Sequence, residues 1–242
     1  MTTAITAGEQ SGAGIGRRSY RDPGSGYLIV VTSPAADPHL WESWIAGATA
    51  SYRAHDVEHA LDLEQIRDGR STSLLFVALS EEGEVIGGVR SQGPYTDPDQ
   101  AHAVVEWDGD PAQPAVRAMV AERLPYGVVE SKAAWVADDC PGRRELVACL
   151  SRVPLHAATL FDARFALGTS AEHTLVLWRR AGAVVAEEVS AAAYPDDRYR
   201  TVLIWWDRWS PSPALADSER QAIDEESAQM LAPVVPTQAD GR

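Results

Sequence analysis

Val128-Val129-Glu130-Ser131-Lys132-Ala133-Ala134-Trp135-Val136-Ala137, running on through Asp138-Asp139-Cys140-Pro141-Gly142-Arg143-Arg144-Glu145-Leu146, reads as a strand that passes through a Pro-Gly turn onto a helix. A carboxylate, a hydroxyl, an amine and two arginines at a helix start fall within one short stretch. Backbone N–H groups and positive charge at such a point suit a phosphate or pyrophosphate. The segment is therefore read as the site of a nucleotide-bearing ligand in an α/β protein.

The rest of the chain supplies the sheet and the helices. Residues 27–32 (YLIVVT) form a short β-rich run, and Asp37-Pro38 supplies an N-cap and a first-turn proline. Leu40, Trp41, Trp44, Ile45, Ala48 and Tyr52 then recur at helical spacing. Runs 73–80 (SLLFVALS) and 84–91 (EVIGGVRS) flank Glu81-Glu82-Gly83, a hairpin signal. Residues 103–107 (AVVEW) read as a third strand of that sheet, and Val116, Met119, Val120 and Leu124 as a helix. After the central strand, Pro154 divides two helical pieces. Residues 166–168 form a brief strand, Thr169 with Glu172 a capping box for a helix through Trp178, and Gly182 its end. Strands at 183–189 and 199–206 close the domain, the last apolar on both faces and hence internal. Of the eight tryptophans, Trp41 and Trp44 on the helical stripe and Trp205 and Trp206 on the last strand are read as core.

This order is that of one mixed α/β domain with a mainly antiparallel central sheet flanked by helices, over residues 26–209. Residues 1–25, rich in Gly, Ser, Thr and Ala, read as a flexible arm. Residues 210–242 read as an acidic tail with one loosely docked helix, because their apolar residues are too sparse to define a face.

Charge and cysteine content narrow the function. The 242-residue chain carries a formal net charge of −14, which disfavours a nucleic-acid partner. Its two cysteines, Cys140 and Cys149, support neither a disulfide framework nor a zinc site, and a reducing cytoplasm fits best. No apolar run reaches the length of a membrane span. His55-Asp56-Val57-Glu58-His59 satisfies a zinc-peptidase pattern, so a zinc-dependent hydrolase using His55, Glu58 and His59 stands as the distant alternative. No third ligand is recognisable, and no bound metal is expected.

The strand order, the hairpin LLFVALSEEGEVIGGVRSQGPY, the strand–turn–helix after Glu130 and the ending LWRRAGAVVAEEV resemble the GNAT superfamily of acyl-CoA-dependent N-acyltransferases. Within it, VVESKAAWV and EVIGGVRSQGP are similar to segments of acyl-homoserine-lactone synthases and long-chain N-acyl amino acid synthases. The resemblance implies direct transfer of an acyl group from acetyl-CoA or a longer acyl-CoA, or from an acyl-carrier protein, to a small-molecule primary amine. A non-catalytic acyl-CoA-binding or regulatory module on the same fold is the nearer alternative.

The resemblance also implies site roles. Val136 and Ala137 would present backbone groups to the donor, and Gly142, Arg143 and Arg144 would face its pyrophosphate in place of the superfamily's glycine-rich loop. Glu130 would serve as base or amine anchor, directly or through water, and Arg90 would bind an acceptor carboxylate. Lys132 shares the Glu130 side of the strand, together with Ala134 and Val136, by period-two alternation. Glu130 and Lys132 equally fit a partly buried charge pair that ties strands together. The helix after the short strand lacks the tyrosine that superfamily members use to protonate the departing thiolate; His173 and Tyr194 are the substitutes.

Overall fold

The computed structural model describes residues 15–233. An eight-stranded sheet is built from β1 (Arg18–Arg21), β2 (Leu28–Thr32), β3 (Leu74–Leu79), β4 (Val85–Gln92), β5 (Val128–Val136), β6 (Phe165–Ala171), β7 (Val184–Val185) and β8 (Thr201–Asp207). Their spatial order is β1-β2-β3-β4-β5-β6-β8-β7. Every neighbouring pair is antiparallel except β5 and β6, which run parallel. A parallel pair needs a crossover. Here the crossover is the pair of helices over residues 143–160.

One face of the sheet carries α1 (Pro38–Ala54), with α2 (Leu63–Ile66), α3 (His102–Glu106) and α4 (Gln113–Arg123) following. The other carries α5 (Arg143–Ser151), α6 (Val153–Leu160), α7 (Leu175–Arg180) and α8 (Asp217–Leu231). Burial alternates along the strands to suit both layers. Leu74, Phe76 and Ala78 of β3 join the core under α5 and α6, while Leu75 and Val77 pack with Trp41 and Trp44 of α1. Both faces are covered, so β3 is apolar throughout and β2 is apolar from Leu28 to Val31.

Gly88 lets α1 lie close on β4. A Cβ there would collide with the carbonyl oxygen of Phe76 and stand 2.8 Å from Trp44 Cδ1. Neither a backbone carbonyl nor a fully buried indole has room to yield. Gly88→Ala is expected to lower stability by about 1–3 kcal/mol, read as a fall in the urea midpoint at unchanged slope.

Several expectations from sequence are corrected. Residues 103–107 are not a strand: Asp97 caps a 3-10 turn that leads into α3, and Val104 packs inward from a helix. The brief strand at 166–168 is the seven-residue β6, and Thr169 lies within it rather than capping the next helix. The strand at 183–189 shrinks to β7. Part of the N-terminal arm is ordered, since residues 18–21 form edge strand β1 with Tyr20 buried. The C-terminal helix is seated on the body by Glu219 and Glu226, which bond Arg152, together with the buried Met230. No helix among the described residues is long and apolar enough to cross a membrane.

Candidate active site between β5 and β6

β5 and β6 pair only from Val128 to Glu130 against Phe165 to Leu167. Beyond that point β5 stays with β4 and β6 stays with β8, so the sheet parts. The parting opens a cavity of about 560 Å³, lined on one arm by Lys132 to Val136 and on the other by Thr169 to Ala171.

A bulge shapes this arm. Gly88 pairs with Trp135 and Arg90 with Lys132, so β5 spends one more residue than β4 over the same span. The extra residue is accommodated at Ala133, whose φ of 52° is left-handed, an uncommon state for a residue with a Cβ. Side-chain alternation reverses there. Glu130 and Lys132 point to the α3 side, whereas Ala134 and Val136 join the core on the α5 side. The expectation that all four share one face is therefore corrected: a single strand supplies polar groups to one side of the gap and apolar wall to the other.

On the α3 side, Lys132 Nζ contacts both Glu106 Oε1 and His102 Nδ1, and lies 3.9 Å from Glu130 Oε1. His102 Nδ1 is 3.0 Å from Glu106 Oε1. Burial raises the Glu106 pKa, but Lys132 and His102 outweigh it and hold the carboxyl at about 2, against an ordinary 4.5. A carboxylate depressed in the folded state contributes stability above its unfolded pKa and loses it as pH falls through the folded one. About 3 kcal/mol is thus expected to disappear between about pH 4.5 and pH 2. Glu106→Gln should flatten that part of the pH–stability curve measured by urea unfolding.

Glu130 is fully buried. Its carboxylate accepts the Tyr95 hydroxyl at 2.7 Å and the N–H groups of His102 at 2.8 Å and Ala103 at 3.0 Å. It caps the N-terminus of α3 and does not line the cavity. Arg90 does line it, 3% exposed. Its Nη1 donates to Ser71 O at 3.3 Å and Thr72 Oγ1 at 3.4 Å, while its buried Nε has no partner. Burial pushes its pKa down, and among the described residues no carboxylate lies within ion-pair distance of it. Tyr52 and Tyr194 also line the cavity; burial pushes Tyr52 up to about 12 and raises Tyr194, so both keep their protons.

On the α5 side, Val136, Val147, Leu150 and Trp178 form an apolar wall. Gly142 has φ 64° and starts α5, whose first residue Arg143 reaches the cavity and sits 3.4 Å from Asp138. Arg144, Gly142 and Ala137 lie outside the lining. Both backbone groups of Ala137 are engaged, its N–H with Ile86 O at 2.9 Å and its carbonyl with Cys140 N at 3.3 Å. The cavity thus gathers Arg90, Lys132, Val136 and Arg143 of the sequence-derived set, together with His173 and Tyr194.

His102 and Glu106 were missed because Val104-Val105 favoured a strand. Their four-residue separation after Asp97-Pro98 was the available helical signal. The zinc pattern does not assemble on one helix. α1 ends at Ala54 with His55 as its C-cap, Asp56 turns left-handed at φ 57°, and Glu58 pairs with Arg53 at 2.6 Å.

No protein-family model matches the chain. Uncharacterized protein Rv1356c of Mycobacterium tuberculosis (strain H37Rv) is 47% identical over 180 residues, which cover 74% of this chain and 68% of the relative. Uncharacterized protein Mb1391c of Mycobacterium bovis matches with the same figures. The chain belongs to this mycobacterial protein family. Among solved structures, FeeM, an N-acyl amino acid synthase from uncultured soil microbes, is similar with a TM-score of 0.53 at 12% identity, covering 81% of this chain and 94% of FeeM. BjaI, a CoA-dependent acyl-homoserine lactone synthase, is similar with a TM-score of 0.51 at 14% identity, covering 84% and 90%. The fold is that of the GNAT-like N-acyltransferases, as the sequence motifs implied.

Proposed function

We propose that this protein is an N-acyltransferase that moves an acyl group from an acyl-CoA thioester directly to a primary amine. The observation that carries this reading is the parting of β5 from β6 over a cavity with cations on one side and an apolar wall on the other. An extended arm bearing amides fits such a gap, because strand edges without a strand partner offer hydrogen bonds to it. FeeM and BjaI, which share the fold, are by their names acyl-transferring synthases, and the BjaI structure includes isopentyl-CoA.

The residues take the following roles in this reading. Val136 walls the donor arm, and Arg143, with Arg144 as outer charge and Gly142 as the turn, meets the donor's phosphates. Arg90, buried and without a carboxylate partner, receives a carboxylate on the acceptor. Lys132 adds positive potential where the thioester oxygen gains charge. Glu130 supports the reaction by holding the start of α3. Asp138 and Glu145 beside Arg143 weaken a pyrophosphate site, an observation that favours a second donor, an acyl-carrier protein with the same pantetheine arm.

Calorimetric titration with acetyl-CoA, a long-chain acyl-CoA and free CoA tests the donor site. Saturable binding is expected, weakened about tenfold in the Arg143→Ala/Arg144→Ala variant, or about 1.4 kcal/mol. Thiol release is then followed across a panel of amines. Failure to bind any CoA species, with thiol release from an acyl-carrier protein instead, would establish the second donor. Absence of both would overturn the enzyme reading.

A further inference from the structure

Resting on the acyl-transfer reading, we propose that His102 Nε2 receives the proton that the acceptor amine loses as it attacks the thioester, with Glu106 holding the opposite ring nitrogen. His102 lines the cavity next to Lys132, and Lys132 is the cross-strand partner of Arg90. Directly paired residues stand about 5 Å apart at Cβ, so a carboxylate held by Arg90 brings its amine to the His102 side of the gap.

The ring is held at one end and free at the other. Glu106 Oε1 lies 3.0 Å from Nδ1, Lys132 Nζ touches both of these atoms, and the N–H of His102 is anchored on Glu130. Nε2 makes no hydrogen bond within the described residues and is not shut away from solvent. With the Lys132 ammonium protons turned onto Glu106 Oε1, which it also contacts, an Nδ1–H donated to that carboxylate leaves the Nε2 lone pair unoccupied. The other groups are unsuited to the task. Glu130 accepts three hydrogen bonds outside the lining, and Glu106 is paired with Lys132. Tyr52 and Tyr194 are kept protonated by burial.

The step balances. An acceptor entering as ammonium gives one proton to bulk water. The amine nitrogen then bonds to the thioester carbon, its second proton passes to His102 Nε2, and the carbon–sulfur bond breaks with its electron pair on sulfur. The imidazolium returns that proton to the thiolate, leaving amide, thiol and neutral His102.

Two measurements decide the proposal. Nitrogen-15 NMR of histidine-labelled protein, with His102→Gln for assignment, is expected to show His102 neutral with the proton on Nδ1. A proton on Nε2, with Nδ1 accepting from Lys132, overturns it. In kinetics, His102→Gln is expected to cut kcat by about 10²- to 10⁴-fold while calorimetric donor affinity stays at the wild-type value. Glu106→Gln, which keeps the wall's shape, is expected to lower kcat with donor affinity likewise preserved. Wild-type turnover that survives in both variants overturns the role of His102 alone. A wild type that neither binds nor turns over any thioester overturns the acyl-transfer reading, and this inference with it.

Discussion

Arg152→Met is expected to cost about 3–5 kcal/mol and to free α8 from the body of the protein. Arg152 is 4% exposed and bonds two segments distant from it in sequence, the one at Asp22 and α8. Its guanidinium donates to Asp22 Oδ1 at 2.6 Å, to Glu219 Oε2 at 2.7 Å and to both oxygens of Glu226, at 2.6 and 2.9 Å. His156 Nε2 adds a contact to Glu226 Oε2 at 2.7 Å. Methionine fills similar volume but leaves Asp22 and Glu226 buried without their cation. Uncompensated burial of charge is what makes the loss large. A drop in urea midpoint with faster hydrogen exchange over residues 217–231 is the expected result; an unchanged midpoint with α8 still protected would refute it. Asp22 and Glu226, which approach each other closely beside Cys149, are bridged by the same cation, whose Nη2 donates to both at 2.6 Å.

Arg90→Leu is expected to lower kcat/KM by about 10²- to 10³-fold for amines that carry a carboxylate, in line with the few kcal/mol that a buried charged hydrogen bond is worth. Amines without a carboxylate should change by only a few-fold. The contrast between substrate classes separates recognition from general damage, because misfolding would depress both alike. Equal losses for the two classes would remove Arg90 from acceptor binding. Thiol release, with donor affinity measured in parallel, provides both comparisons.

Much of the fold was legible in the chain because local chemistry and tertiary placement agree. The Leu74–Leu79 strand and the β4 hairpin partner are marked by β-branched residues and Glu81-Glu82-Gly83, whose Gly83 takes φ 87°. α1 announces itself through Asp37, whose carboxylate accepts from Leu40 N at 3.3 Å, and through Trp41 and Trp44 on one stripe. α8 did not, because its buried face is Glu219, Glu226 and Met230. Acidic residues look solvated in a sequence until their counter-charge is known, and Arg152 lies 74 positions from Glu226.

The sequence by itself determined the mixed α/β order, the resemblance to GNAT N-acyltransferases, and the strand–turn–helix that brings Arg143 to the cavity. Tertiary structure decided what each polar residue does. The bulge at Ala133 turned Lys132 away from Val136, a change of face that no period-two count detects because it depends on how β5 pairs with β4. The N-terminus of α3 drew Glu130 into a capping role and placed His102 and Glu106 against Lys132, across 26 to 30 residues of chain. Such contacts arise from packing between distant segments. Local propensity records only the neighbours of each residue along the chain.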